Sequence, residues 1–382
     1  LSLHDALPIS IPSGTLDDKD VYVKKIVIDE KVPVKKLKQV QKKAKNIILF
    51  IGDGMSISQI SAFRLFQGGP NSRVAVDSFP YSGQVLTHSA NAIVTDSASS
   101  GTAYSTGEKT NNRALGVDIN GQPIENITET LDRSGYVSSV ISTSEVTHAT
   151  PAAFVVHTSS RYLTDEISIQ MTDSKIKNIL GGGRKFFIPE EDGGNREDGI
   201  NLIEKVKSKS TLITDKSELS NPARYGDNQV FGLFADEHLR DDSTPENHST
   251  EPSIERMLEF SVNRSKKFIE NGCRGFFIMA EASQVDWAGH GNDFEYLMRE
   301  MSDLEDGIKW ALKFAKENQD TLVVVTADHE TGGMLIEPND PRKYENPDIK
   351  FSFNTGIGRG SHTGVPVPID RKSVVVGKEC ER

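Results

Sequence analysis

The sequence predicts an α/β fold, a three-layer α/β/α sandwich around a mostly parallel sheet. Four apolar runs of strand length, residues 46–51, 136–141, 275–280 and 321–326, alternate with helical stretches such as residues 56–66, 253–270 and 294–316. That alternation is the pattern of a parallel sheet covered on both faces. Each run is followed by acids, hydroxyls or imidazoles, and open α/β sheets place their ligands at the carboxyl ends of parallel strands. These polar clusters stretch from Asp53 to His362 and have to meet at one site, so residues 45–370 are expected to form one catalytic domain.

The first run leads into Gly52-Asp53-Gly54-Met55, where two glycines let the backbone turn sharply around one acid. Next, Val94-Thr95-Asp96-Ser97-Ala98-Ser99-Ser100-Gly101-Thr102-Ala103 sets a serine behind an aspartate where a helix with a small-residue face should begin. As N-cap, Asp96 accepts from the first free backbone N–H groups, and the positive helix end favours an alkoxide or a bound phosphate at Ser97. Ser97 is therefore a candidate nucleophile, although D-S-A-S alone is also an ordinary helix start. The second run leads to His148 and Thr150, two apart, a spacing that lets side chains converge in an extended segment. After the third run come Glu281 at the strand end and then Asp286 and His290, one helical turn apart and able to face one metal. The fourth run ends in Asp328-His329, and Gly360-Ser361-His362-Thr363-Gly364 adds an imidazole in a glycine-flanked loop. Each cluster singly has a bland structural reading; together they point to a polynuclear metal site.

In order, I-G-D-G-M, T-D-S-A-S-S-G-T-A, H-A-T-P-A-A, E-A-S-Q-V-D-W-A-G-H, T-A-D-H-E-T-G-G and S-H-T-G resemble the motifs of bacterial alkaline phosphatases. The likeness runs from about Lys45 to His362. It implies metal-dependent hydrolysis of phosphate monoesters through a phosphoserine on Ser97, with Arg161 gripping two phosphate oxygens through its planar fork. It also implies two Zn2+ ions and one Mg2+. Asp286, His290 and His362 would hold the first zinc. Asp53, Asp328 and His329 would hold the second, with Ser97 itself reaching that metal. Asp53, Thr150 and Glu281 would hold the third ion, usually magnesium. Mixed N and O ligands suit zinc and an oxygen-rich set suits magnesium, while two metals about 4 Å apart can stabilise attacking and leaving oxygens together. In the implied scheme Ser97 attacks phosphorus in line, and activated water then hydrolyses the phosphoserine.

Two positions depart from the commonest family pattern. Many relatives carry Asp where this chain has His148, and a basic residue or His where it has Trp287. An imidazole at His148 would soften the third position and admit Zn2+ or Co2+. Trp287 would wall the pocket beside the substrate's leaving group, or simply fill space beside the metal helix. Two other functional readings stay open: a phosphodiester or sulfate ester hydrolase on the same scaffold, and a catalytically silent metal- or phosphate-binding protein.

A net charge of −11 over 382 residues argues against nucleic acid as a stable partner, since phosphate backbones seek basic surfaces. No apolar run is long enough to span a bilayer. The resemblance implies small phosphomonoester substrates and a periplasmic or secreted location, and leaves homodimer and monomer both open. Residues 185–250, rich in charge, Gly and turn residues, read as a plain surface excursion or an insertion at the pocket rim. Residues 1–44 read as a solvated, lysine-rich leader. Residues 1–10 and 371–382 resemble translated adapter sequence; a resequenced locus reading straight through them would refute that. The two cysteines, Cys273 and Cys380, suggest neither a disulfide framework nor a metal site, and Cys273 is expected as a buried free thiol.

Overall fold

The structure, a computed structural model, describes residues 44–239, 250–340, 348–355 and 360–372. The expected leader up to residue 43, the tail from residue 373 and Cys380 lie outside the described residues. In chain order the strands are β1 (Asn46–Gly52), β2 (Tyr81–Val85), β3 (Val137–Glu145), β4 (Asn178–Gly182), β5 (Thr211–Ile213), β6 (Val230–Leu233), β7 (Phe276–Ala282), β8 (Thr321–Thr326), β9 (Glu330–Thr331), β10 (Met334–Pro338), β11 (Ile349–Phe353), β12 (His362–Thr363) and β13 (Val367–Lys372). The α-helices are α1 (Ile57–Gly68), α2 (Ser97–Thr106), α3 (Ile127–Arg133), α4 (Ala149–Ala153), α5 (Thr164–Asp173), α6 (Leu202–Lys209), α7 (Ile254–Glu270), α8 (Gln284–Gly291) and α9 (Phe294–Glu317).

Nine strands form one sheet in the order β2-β13-β8-β1-β7-β3-β4-β6-β5. From β8 to β5 every pairing is parallel, whereas β13 runs antiparallel between β8 and β2. The four apolar runs are the four central strands β8, β1, β7 and β3. Helices cover both faces there, so both sets of side chains are buried and mostly apolar, with Ser138 and Ser139 of β3 as buried polar exceptions. Successive residues accordingly enter different cores. Phe50, Ile141 and Ile278 join the cluster under α7 and α9, while Ile51, Val140 and Met279 join the cluster under α2, α4 and α5. Ser253 caps α7 by accepting from the Arg256 N–H, and Ile254, Met257, Leu258, Ser261, Ser265 and Phe268 form its buried face, the spacing of an amphipathic helix.

Two expectations need correction. Residues 185–250 are not a plain excursion, because β5 and β6 within them extend the parallel sheet beyond β4; strands of three and four residues leave too short an apolar run to stand out. Cys273 is free but only half-buried, since it lies in the turn between α7 and β7 rather than in either core.

Candidate metal centre

The candidate residues gather at the carboxyl ends of β1, β3, β7 and β8. After β1 the chain turns through Gly54 at φ +75°, where a Cβ would lie 2.8 Å from the Asp286 Cα and 2.9 Å from Thr331 Oγ1. Glycine thus lets the Asp53 turn sit directly against α8. Ser97 is the first residue of α2, and the Asp96 carboxylate accepts from the Ser99 N–H at 3.1 Å. The small-residue face of α2 lets α4 close in, a Cβ on Gly101 lying 3.0 Å from that of Ala153. His148 and Thr150 differ from the extended pair expected: His148 is the N-cap of α4 and Thr150 lies in its first turn, because Pro151 suits the opening of a helix.

Eight of these side chains fall into three groups of ligand-type atoms, Asp53 belonging to two of them: Asp286, His290 and His362; Asp53, Asp328 and His329; and Asp53, His148 and Glu281. In the first, His290 Nε2 lies 3.3 Å from Asp286 Oδ2 and His362 Nε2 lies 3.4 Å from Asp286 Oδ1. The outer nitrogens are committed elsewhere. His290 Nδ1 donates to the Gly360 carbonyl at 2.8 Å and His362 Nδ1 to the Thr95 carbonyl at 2.9 Å. This leaves both Nε2 atoms facing inward, 3.2 Å apart, as outer partners do for metal-ligating histidines. In the second group His329 Nε2 lies 3.1 Å from Asp328 Oδ2 and 3.5 Å from Asp53 Oδ1. The rings of His329 and His362 stack at 3.5 Å, so these groups adjoin. The Ser97 hydroxyl donates to Asp53 Oδ2 at 3.4 Å and lies 3.2 Å from His329 Nε2.

The donor set fits cations on independent grounds. Asp53 Oδ1, Asp328 Oδ2, Glu281 Oε1, Thr150 Oγ1 and His148 Nδ1 are buried without a hydrogen-bond partner, whereas buried polar atoms are normally satisfied. Burial, followed by the charges of Asp328, Asp286 and Glu281, pushes Asp53 well above the usual carboxylate range. Burial likewise raises Glu281 to about 7. Burial would raise Asp286 too, but His290 and His362, which in their protonated, metal-free form donate to it from Nε2, hold it well below its ordinary value. His148 and His329 are pushed down to about 4, chiefly by burial. A neutral imidazole keeps the lone pair that a metal needs.

Arg161 sits beside this centre, with Nη1 3.3 Å from Asp96 Oδ2 and Nη2 donating to His148 Nε2 at 2.9 Å. Asp96 also accepts from the Arg113 N–H through both oxygens at 3.1 Å, and the Arg113 carbonyl accepts from the Arg161 N–H at 2.7 Å. Arginine can only donate, so His148 carries its proton on Nδ1 while this contact lasts. Trp287 stands edge-on between His148, at 5.7 Å between ring centres, and His238, at 4.6 Å.

Two side chains escaped the sequence reading. His238 comes from the stretch before residue 240 and gave no signal beyond its residue type. Thr331 donates from Oγ1 to Asp286 Oδ1 and accepts from His329 Nδ1 at 3.2 Å. It therefore touches ligand-type residues of two groups at once, and only its place two residues after His329 hinted at that.

Mixed nitrogen and oxygen donors within reach of one serine hydroxyl suit metal-assisted attack on an ester, so fold and centre together define a metal-dependent hydrolase. The profile of the alkaline phosphatase family matches residues 44–347. Alkaline phosphatase 4 of Bacillus subtilis is 37% identical over 331 residues, 83% of this chain and 68% of that protein. The structure of alkaline phosphatase from the Antarctic bacterium TAB5 superposes with a TM-score of 0.76 at 34% identity, over 87% of this chain and 92% of that one. A variant of the TAB5 enzyme with one histidine replaced by aspartate, described with Mg bound in its M3 site, superposes at 0.74 and 32% identity over the same shares. The chain belongs to the alkaline phosphatase family and is a metal-dependent phosphomonoesterase.

Proposed function

We propose that Ser97 is the nucleophile, that Arg161 binds the transferring phosphoryl group, and that the three groups hold three metal ions. Asp286, His290 and His362 take one Zn2+; Asp53, Asp328 and His329, with Ser97, take a second. Asp53, His148, Thr150 and Glu281 take the third. The observation that carries the reading is the Ser97 hydroxyl, buried at the start of α2 within 3.4 Å of Asp53 Oδ2 and 3.2 Å of His329 Nε2.

When bound, the metals supply Lewis-acid charge at the attacking and leaving oxygens. Ser97 Oγ forms a bond to phosphorus as the bond to the alcohol oxygen breaks, leaving a phosphoserine and the freed alcohol. Water then attacks that phosphoserine, releasing inorganic phosphate and restoring the hydroxyl. The N–H groups at the start of α2 face the same point and favour the developing charge. Arg161 exchanges its contacts with His148 and Asp96 for two phosphoryl oxygens, and Asp96 keeps its backbone in place through Arg113.

The third ion is Mg2+ where oxygen donors dominate, and His148 opens the position to Zn2+ or Co2+ as well. The Mg-bearing aspartate variant of the TAB5 enzyme supports exchange between imidazole and carboxylate as the control on that choice. Trp287, braced by His238, walls the side of the pocket that receives the alcohol. A periplasmic or secreted location fits a phosphate-scavenging role, and homodimer or monomer is a matter for solution measurement. No described helix is long and apolar enough to cross a membrane.

The test compares hydrolysis of a chromogenic phosphate monoester by wild type and Ser97→Ala, before and after chelation and return of zinc and magnesium. The alanine variant should keep nearly its full metal content and lose most turnover. Near-normal turnover in that variant would remove Ser97 from the reaction.

A further inference from the structure

We infer that Glu330 is a positioning residue that seats His362 in the first group, an inference that rests on reading that group as a metal site. β9 has only two residues, and their side chains leave on opposite sides. Thr331 turns toward Asp286 and His329, while Glu330 turns away, buried at 3% exposure, into the seam between α1 and β12. There it meets three donors. Oε1 accepts from Gln59 Nε2 at 3.0 Å and from the Met334 N–H at 3.1 Å, and Oε2 accepts from the Thr363 hydroxyl.

Each donor belongs to a segment that carries or adjoins a ligand-type residue. Gln59 also accepts from the Ser56 N–H at 2.9 Å, three residues after Asp53, so one leg reaches the β1 turn. Met334 follows the Asp328-His329 segment. Thr363 is the neighbour of His362, and β12 is a two-residue strand whose register is His362 to Thr331 and Thr363 to Glu330. So short a pairing fixes a side chain poorly on its own. The His362 Nδ1 bond to the Thr95 carbonyl holds the imidazole itself, and the Glu330–Thr363 bond holds the short strand that carries it. A carboxylate is the group that can meet three donors with two bare oxygens; a glutamine offers one oxygen and turns an N–H2 toward one of them.

The experiment uses the full chain loaded with Zn2+ or Co2+, with Thr363→Val, Thr363→Ser, Glu330→Gln and Glu330→Ala. Thr363→Val cuts one leg and leaves α1 untouched, so it remains informative if Glu330→Ala fails to fold. Zinc retention is read by competition with a chelator, and first-group geometry by the visible spectrum of the Co2+ form. Loss of a group bonded directly to a metal ligand typically weakens metal affinity roughly 10- to 100-fold, and a bond one residue removed from His362 belongs at the lower end, about 10-fold. The expectation is a fall of that order in one zinc equivalent for Thr363→Val and Glu330→Gln, an altered Co2+ spectrum, a lower kcat at similar KM, and recovery in Thr363→Ser. Thr363→Val and Glu330→Gln proteins that hold zinc as tightly as wild type with an unchanged spectrum would overturn the inference while leaving the metal reading intact. A wild-type protein whose zinc stoichiometry is unaffected by His290→Ala would overturn the metal reading itself, and this inference with it.

Discussion

Thr331→Val removes one hydroxyl and nearly preserves shape, so its cost can be worked from two hydrogen bonds. One runs to the Asp286 carboxylate and the other from His329 Nδ1 at 3.2 Å. Asp286 keeps His290 and His362 beside it and is not stranded. His329 is fully buried, and its Nδ1–H would be left without an acceptor, at about 1–3 kcal/mol. Loss of the bond to a charged acceptor is worth about 1.5–3 kcal/mol. The two share one hydroxyl and do not add in full, so about 1.5–3 kcal/mol is expected in the metal-loaded state. At about 1.4 kcal/mol per tenfold this is roughly a 10- to 150-fold loss of zinc affinity. The imidazole would also be free to take the other tautomer, with Nε2 protonated and unable to bind metal. Chelator competition and zinc content per chain measure the loss, and Thr331→Ser should recover most of it. A valine variant with wild-type zinc affinity and wild-type kcat would refute the role assigned to this hydroxyl.

Gly54→Ala should unfold at lower temperature and hold less metal, because a Cβ there meets the Asp286 backbone at 2.8 Å from a left-handed conformation that costs of order 1–3 kcal/mol for other residues; calorimetry with and without zinc checks this. Glu281 is raised to about 7 because burial favours its neutral form, so below that pH a proton would occupy the carboxylate that a third ion bound there would use. Third-site affinity should therefore rise as pH rises through about 7, and binding at pH 6 should release a proton, read as a buffer-dependent heat in titration calorimetry; identical heats in buffers of different ionisation enthalpy would contradict it. Arg161→Ala should weaken phosphate inhibition and lower turnover without abolishing it, because the metals still hold the transferring group. Product-inhibition constants measured beside kcat separate that from general damage.

The central sheet was legible because β1, β3, β7 and β8 are covered on both faces and each carries a largely apolar run, Ser138 and Ser139 of β3 being buried exceptions. The runs place Asp53, Glu281 and Asp328 at strand ends, but β3 continues past its apolar run through Ser142 to Glu145, where composition alone gave no strand. The outer strands obey no such rule. β5 and β6 are short, and β2 is exposed along most of its length, so nothing in residues 81–85 or 211–213 separates strand from loop. β13 offers only Val367 and Ile369 around Pro368, and its antiparallel placement between β8 and β2 depends on pairing partners far away in sequence.

The centre divides along a similar line. Asp286 and His290 were paired by helical spacing, a local rule that α8 obeys. His362 reaches the same group from 72 residues beyond His290, and no spacing argument joins them; the family resemblance did. Thr331, Glu330 and His238 fell outside both kinds of reasoning, because what they do is set by the atoms they touch. The two departures from the commonest family pattern show this most clearly. His148 and Trp287 stand far apart in the sequence, where only the family pattern groups them, and their rings pack edge to face while His148 accepts from Arg161. An ion bound at Nδ1 requires the proton to move to Nε2, which can no longer accept from the guanidinium. If His148 holds the third ion in this way, loading that position would free the arginine for phosphate, and phosphate binding would in turn free His148 for the metal. By linkage each ligand would tighten the other by the same factor.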